Sequence, residues 1–229
     1  ALSKVELVGQ LDQMRAELAQ QRLGDAERQQ LLRENQDLRA LLAWPPRAGF
    51  RILGAQVLAQ DPASGGRRLR VACGTLNGVQ VGQAVLSQGQ LYGRICEVTA
   101  VSAVVQTLAD PQCKVSVWLP DLGVHGILSG RGENEWLAEP YCEVRYLPRD
   151  RDYLVGMKVE SSAYGEMVPL AIPIGELVGL PGQRVVEDFQ HLYKIAIVRP
   201  SALRDHPSVL AILIPEALQG PLRLPPATP

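Results

Sequence analysis

The hydrophobic pattern changes period once along the chain, near residue 44. Before that point the apolar residues recur at helical spacing. Leu7, Leu11, Met14 and Leu18 stand 4, 3 and 4 apart, and Leu31, Asn35, Leu38 and Leu42 repeat the interval. Alternating threes and fours form the seam of a coiled coil, so residues 1–43 are predicted to be a long dimerisation helix. The segment 2–43 contains no proline and is rich in Leu, Ala, Gln, Glu and Arg, all good helix formers. With Leu7 at d, Leu11 and Leu18 fall at a and Met14 at d. In the second block Leu31 and Leu38 are d, while Asn35 and Leu42 are a. An asparagine at a favours a parallel dimer. Leu31 lies 24 residues after Leu7, three heptads plus three, which is a stammer-type shift. A continuous frame exists as well and puts Gln21, Asp25 and Arg28 on the seam. The helix would be about 60 Å long. Trp44-Pro45-Pro46 stops it, because proline lacks an N–H and clashes with the preceding turn. Residues 44–49 then read as a short stiff linker.

From Phe50 onward the period falls to about two. Short β-rich runs are predicted at 52–59, 68–73, 83–87, 91–98, 103–108, 114–119, 126–128, 142–147, 157–161, 174–179, 192–198 and 209–214. Turn signals separate them: Asp61-Pro62, Gly65-Gly66, Asn77-Gly78, Gln88-Gly89, Asp110-Pro111, Gly130-Arg131-Gly132 and Pro181-Gly182; Asn77-Gly78 and Gly82 suit tight hairpins needing positive φ. A dozen short strands without a long helical stretch fit two small β-barrels across residues 50–214. Residues 215–229 carry no periodic pattern and are predicted to be a flexible Pro-rich tail. The fold class is therefore mainly β with a long N-terminal α-helix: a coiled coil followed by two small six-stranded barrel subdomains.

Composition narrows the function. A net charge of −1 and 5% aromatic residues argue against a nucleic-acid binder. The longest apolar run, 209–214, has six residues, far short of the roughly twenty a membrane span needs. The chain opens on Ala1 without a Met, which reads as a piece whose anchor or leader lies upstream. Cys73, Cys96, Cys113 and Cys142 show no zinc-ligand spacing. Pairing into two disulfides and burial as small apolar thiols both fit them. No G-x-S-x-G accompanies His125, His191 or His206, and no phosphate-loop motif is complete. No cofactor or metal is expected, and the chain reads as a non-enzyme.

Six motifs in order carry a family resemblance. The segment from Leu32 to Leu42 is similar to L-x-x-E-N-x-x-L-R-x-L-L. Cys73 to Val85, with Asn77, Gly78 and Gly82, resembles K-G-S-x-D-G-V-x-x-G-x-P-V. Gly89 to Ile95, with Gly93, resembles G-L-V-G-R-V, and Leu108-Ala109-Asp110-Pro111 resembles L-T-D-P. Tyr146-Leu147-Pro148 with Val155-Gly156-Met157 resembles Y-L-P followed by V-G-D. Val168-Pro169 with Ile172-Pro173-Ile174-Gly175 resembles F-P-x-G-I-P-V-G. Together they resemble the periplasmic part of the MreC family of rod shape-determining proteins. Ala163, Ala171 and Cys73 depart from the pattern, the first two replacing glycine. Alanine tolerates positive φ poorly, so these turns are expected to suffer.

The resemblance implies two small barrels, one arranged like chymotrypsin but without a triad. It implies a scaffold of the cell-wall elongation machinery on the periplasmic side of the inner membrane, with a single-pass anchor upstream. The implied partners are a second copy of the chain, with higher assemblies left open, a class B penicillin-binding protein, and MreD and MreB through the anchor. Docking is expected on the β region, through edge strands and grooves between the barrels, because the mixed charges along the helix suit a solvated face. The matched residues are structural and identify no site. Two alternatives have other functions: a secreted chymotrypsin-like peptidase fused to an oligomerising helix, and a soluble coiled-coil adaptor.

Overall fold

A computed structural model describes residues 49–134, 137–162, 168, 171–179, 186–189, 192–204 and 207–216. The predicted coiled-coil seam and linker, Pro169, and the tail beyond Glu216 lie outside the described residues.

Among the described residues, thirteen strands form two sheets. The first is a closed antiparallel ring in the order β1 (Phe50–Gln60), β13 (Val209–Pro215), β3 (Ala84–Ser87), β4 (Gln90–Val98), β5 (Ala103–Thr107) and β2 (Arg68–Val71). The second joins β10 (Pro173–Leu177), β9 (Lys158–Ser161), β6 (Lys114–Leu119), β7 (Val124–Asn134), β8 (Leu137–Leu147), β12 (Tyr193–Pro200) and β11 (Val186–Phe189). One side of β12 is shared: Tyr193 to Ala196 pair with β11, and Val198 to Pro200 pair with β10. Its other side pairs with β8. The contact between β10 and β12 therefore closes six strands into a second ring, with β11 as an outrigger. The chain completes five strands of the first ring, crosses at 108–113, builds the second ring, and returns with β13.

That return strand explains the longest apolar run. Leu210, Ile212 and Ile214 point into the first barrel, alongside Val71, Val85, Ile95 and Val105. Ala211 and Leu213 point the other way and join Leu128, Val144, Ile174 and Val198 of the second. The neighbouring strands do likewise. Val85 and Tyr92 face the first interior, while Ala84, Leu86 and Leu91 face the second cluster. A strand with both faces covered is apolar throughout, not alternating. β13, β3 and part of β4 thus form a wall between two hydrophobic interiors. Along it Leu210, Ile212 and Leu213 are all 0% exposed.

The turns depart instructively from the sequence reading. Asn77-Gly78 does not make a two-residue hairpin. It ends a 3₁₀ turn over Thr75–Asn77, with Gly78 at φ 85° donating its N–H to Thr75 O at 3.0 Å. The Asn77 side chain is occupied in accepting from Gly74 N at 3.1 Å, which stabilises that turn instead. The two-residue hairpin lies between β3 and β4, where Gln88 and Gly89 both have positive φ (49° and 80°). That conformation matches the twist of the flanking strands.

The segment 130–132, predicted as a turn, is interior to the eleven-residue strand β7. A Cβ on Gly130 would come within 2.1 Å of Ala109 C, so this glycine makes room for the crossing segment. β8 is correspondingly longer than expected, beginning at Leu137, and β11 is an additional strand. β13 extends through Pro215, which pairs with Phe50.

Ala171 keeps the left-handed conformation of the glycine it replaces, at φ 59°, and its N–H donates to Ser161 O at 2.9 Å. The left-handed region costs a non-glycine residue roughly 1–2 kcal/mol. Part of that is offset because alanine has less unfolded-chain entropy to lose. Ala171→Gly is therefore expected to stabilise the chain by about 0.5–1 kcal/mol, read as a higher urea midpoint at unchanged slope. A lower midpoint would show that the turn carries no strain.

Candidate interaction surface

Ring closure decides which surfaces the chain can offer. Every strand of the first ring has two neighbours, so this ring presents no edge. Among the described residues, β11 has one neighbour, β12, and is a free-edged strand. The expected docking through edge strands is thus confined to β11, and most of the available surface is the outer faces of the sheets.

The geometry tests the peptidase alternative directly. Ser162 Oγ lies 3.2 Å from His125 Nδ1, a Ser–His contact that register alone creates. In a catalytic triad the serine meets Nε2, and Nδ1 is held by a carboxylate. Here the serine occupies the carboxylate's place. Ser162 is also 1% exposed, beyond the reach of a substrate carbonyl. The pair therefore orients the imidazole and does not form a nucleophile. His191 and His206 lie outside the described residues.

At the crossing between the barrels, Asp110 is 5% exposed and fully engaged. Its Oδ1 accepts from Gln112 N at 2.8 Å, and its Oδ2 from Arg68 Nε at 3.4 Å. Arg68 is on β2 of the first ring, so the charge pair ties the crossing to that ring. Asp110 with Pro111 is one of the residue pairs that carried the family resemblance, and its role is to fix this turn. Clefts of about 400 Å³ flank Arg68, one lined by Ser64, Arg67 and Gln112, the other by Gln60, Arg70 and Glu97. On the second ring Glu143, 2% exposed, is bracketed by Arg131 Nε at 3.1 Å and by Arg145.

Two exposed aromatic features were not legible in the sequence. Tyr146 sits in a bulge of β8 at φ 64°, 53% exposed, with its ring edge-on to Tyr193 at 5.6 Å. A positive φ at tyrosine has no local sequence signal. The other is a row across four strands: Pro173 on β10, Glu160 on β9, Trp118 on β6 and His125 on β7, each directly opposite the next. The indole and imidazole rings lie 6.0 Å apart at 28°. Only the strand register brings these residues together.

The remaining matched residues are dispersed and structural. Gly78, Gly82 and Gly156 adopt positive φ. Added Cβ atoms on Gly93 and Gly175 would each come within 2.1 Å of a neighbouring carbonyl oxygen. Pro173 starts β10, where the strand register shifts before Gly175. None of them lines either cleft beside Arg68.

All four cysteines are free thiols. Burial pushes Cys73 up to about 11 and Cys113 up to about 12, and Cys142 is raised well above the ordinary thiol range. These groups behave as small core residues, poorly reactive because the thiolate is disfavoured.

Comparison with known proteins converges on one family. A family model described as rod shape-determining protein MreC, barrel core, matches residues 57–213. The cell shape-determining protein MreC of Listeria monocytogenes is 28% identical over 182 residues, covering 78% of this chain and 59% of the relative. That of Escherichia coli is 26% identical over 175 residues, covering 76% and 44%. The chain thus spans less than two thirds of either relative. A solved Listeria MreC structure superposes with a TM-score of 0.65 at 26% identity, covering 93% of this chain and 98% of that one. In a solved complex between a penicillin-binding protein, PBP2, and MreC from Helicobacter pylori, a chain matches with a TM-score of 0.55 at 14% identity. That match covers 72% of this chain and 98% of the other, and indicates the same fold.

Two outcomes follow from this geometry. Asp110→Ala strips a part-buried backbone N–H and a guanidinium of their acceptor, and should cost about 1–3 kcal/mol in urea denaturation. A loss near zero would mean that the crossing is held by packing alone. The buried thiols have folded-state values above the unfolded value near 9, so above pH 9 the unfolded chain releases protons that the folded chain retains. The thiols' contribution to stability should be level below pH 9 and fall between pH 9 and about 12. A urea midpoint that holds steady to pH 11 would contradict the burial of these groups.

Proposed function

The chain belongs to the MreC family of rod shape-determining proteins, and on that premise we propose that it is a non-catalytic scaffold of the cell-wall elongation machinery. The family match over residues 57–213, which spans both rings and the wall between them, is the observation that carries this reading. The buried serine, with its imidazole turned the wrong way, supports a scaffold over a peptidase.

In this reading the native protein is held at the periplasmic face of the inner membrane by an anchor upstream of Ala1. Residues 1–43 pair two copies through Leu7, Leu11, Met14, Leu18, Leu31, Asn35, Leu38 and Leu42. The barrels then receive a penicillin-binding protein of the elongation machinery, while MreD and MreB are reached through the anchor. The Helicobacter pylori complex supports the first of these partners. Pairing two barrel units presents each docking face twice and raises avidity without any new contact.

Removal of residues 1–43 should leave a folded monomer by sedimentation. It should retain weaker binding to a class B penicillin-binding protein ectodomain, because only the avidity is lost. A truncated chain that remains the same dimer contradicts the coiled-coil seam. Binding by residues 1–46 alone, with none by the β region, contradicts docking on the barrels.

A further inference from the structure

The cross-strand row on the outer face of the second barrel combines features that a surface of passive charge would not. Trp118, on the outward side of β6, is half-buried, and its Nε1 donates to Glu160 Oε2 at 3.4 Å. His125 is held by Ser162 at 3.2 Å, and its ring lies alongside the indole. The two aromatic side chains are thus pinned by separate hydrogen bonds and form a preorganised platform. Pro173, exposed at the start of β10, extends it on one side, and Ile127, 39% exposed, adjoins it on the next row.

Glu160 is the carboxylate of this platform, and Lys158 stands two residues away on the same outer side of β9. Glu160 accepts from Trp118 and forms no ion pair among the described residues. Two other carboxylates of this barrel are engaged: Glu143 between Arg131 and Arg145, and Glu176 with Arg199 at 2.6 Å. A carboxylate that forms no ion pair among the described residues, fixed at the edge of an indole, suits a planar cation that can stack on the ring and bond to the oxygens together. Guanidinium does both. An ammonium would satisfy the carboxylate but would stack less well.

We propose that the Pro173–Glu160–Trp118–His125 row is the docking face for a partner segment that presents an arginine side chain to Trp118 and Glu160. This deepens the scaffold reading and rests on it, the partner being the penicillin-binding protein proposed above. Tryptophan and arginine are the residue types enriched at the energetic centres of interfaces, and complementary charges fix the register of the partners. The rim of Ile127, Pro173 and His125 would exclude water around the ion pair.

The test uses the full 229-residue chain and a class B penicillin-binding protein ectodomain in titration calorimetry. Glu160→Gln keeps shape and removes charge, Trp118→Ala removes the platform, and Arg70→Gln on the first barrel is the control. Thermal melts establish folding of each variant. The expected result is a loss of affinity of about tenfold or more for Glu160→Gln and for Trp118→Ala, with the control within about twofold. Because Glu160→Gln leaves the packing in place, its effect stands even if Trp118→Ala fails to fold. Binding by the parent chain that Glu160→Gln leaves unchanged overturns this face while sparing the scaffold reading. No binding by the parent chain overturns both. A Glu160→Gln variant that binds the ectodomain normally, yet loses self-association or retention on purified sacculi, assigns the face to a second copy or to glycan and overturns the proposal.

Discussion

The structure depends on a wall with two apolar faces. β13 carries Leu210, Ile212 and Ile214 into one barrel and Ala211 and Leu213 into the core of the other. β3 and β4 do the same with Val85 and Tyr92 against Leu86 and Leu91. Neither interior is complete without this wall, and burying each large aliphatic side chain in it contributes on the order of 1.5–3 kcal/mol. The chain order adds a second constraint. Because β13 fits between β1 and β3, the first ring closes only after the whole second ring has been traversed. Such long-range closure is slow to form, and it welds the two halves once made.

Closure also shapes function. A ring presents few unpaired backbone groups, so among the described residues strand addition is open only at β11 and the rest of the surface is side chains on outer faces. The described surface offers engaged ion pairs and two aromatic features. In the scaffold reading proposed above, the wall keeps the two outer surfaces in constant relation.

Much of the fold was legible in the sequence, and the failures have identifiable causes. Strand β6 falls where the alternation at 114–119 placed it, and Gln88-Gly89 makes its turn as expected. Asn77-Gly78 misled because the asparagine side chain bonds back to Gly74 and favours a 3₁₀ turn over a hairpin. Gly130 misled because a strand glycine forced by the close backbone of Ala109 looks like a turn glycine. The Trp118 row and the Tyr146–Tyr193 contact could not be read at all. They join residues from β10, β9, β6 and β7, or from β8 and β12, and only register and a bulge bring those together. The departure at Ala171 was legible as a local misfit, and the φ of 59° there is its structural counterpart.

The central claim is that the wall makes the two barrels one cooperative unit. Native-state hydrogen exchange, followed peptide by peptide in the full chain and in Leu213→Ala, tests it most directly. Leu213 projects from a first-ring strand into the second cluster, and its truncation should cost about 2–5 kcal/mol. Amides of β2 and β5 should lose the same protection as amides of β6 and β9, since both sets open together. Loss confined to one barrel, with the other keeping its full protection, would contradict it.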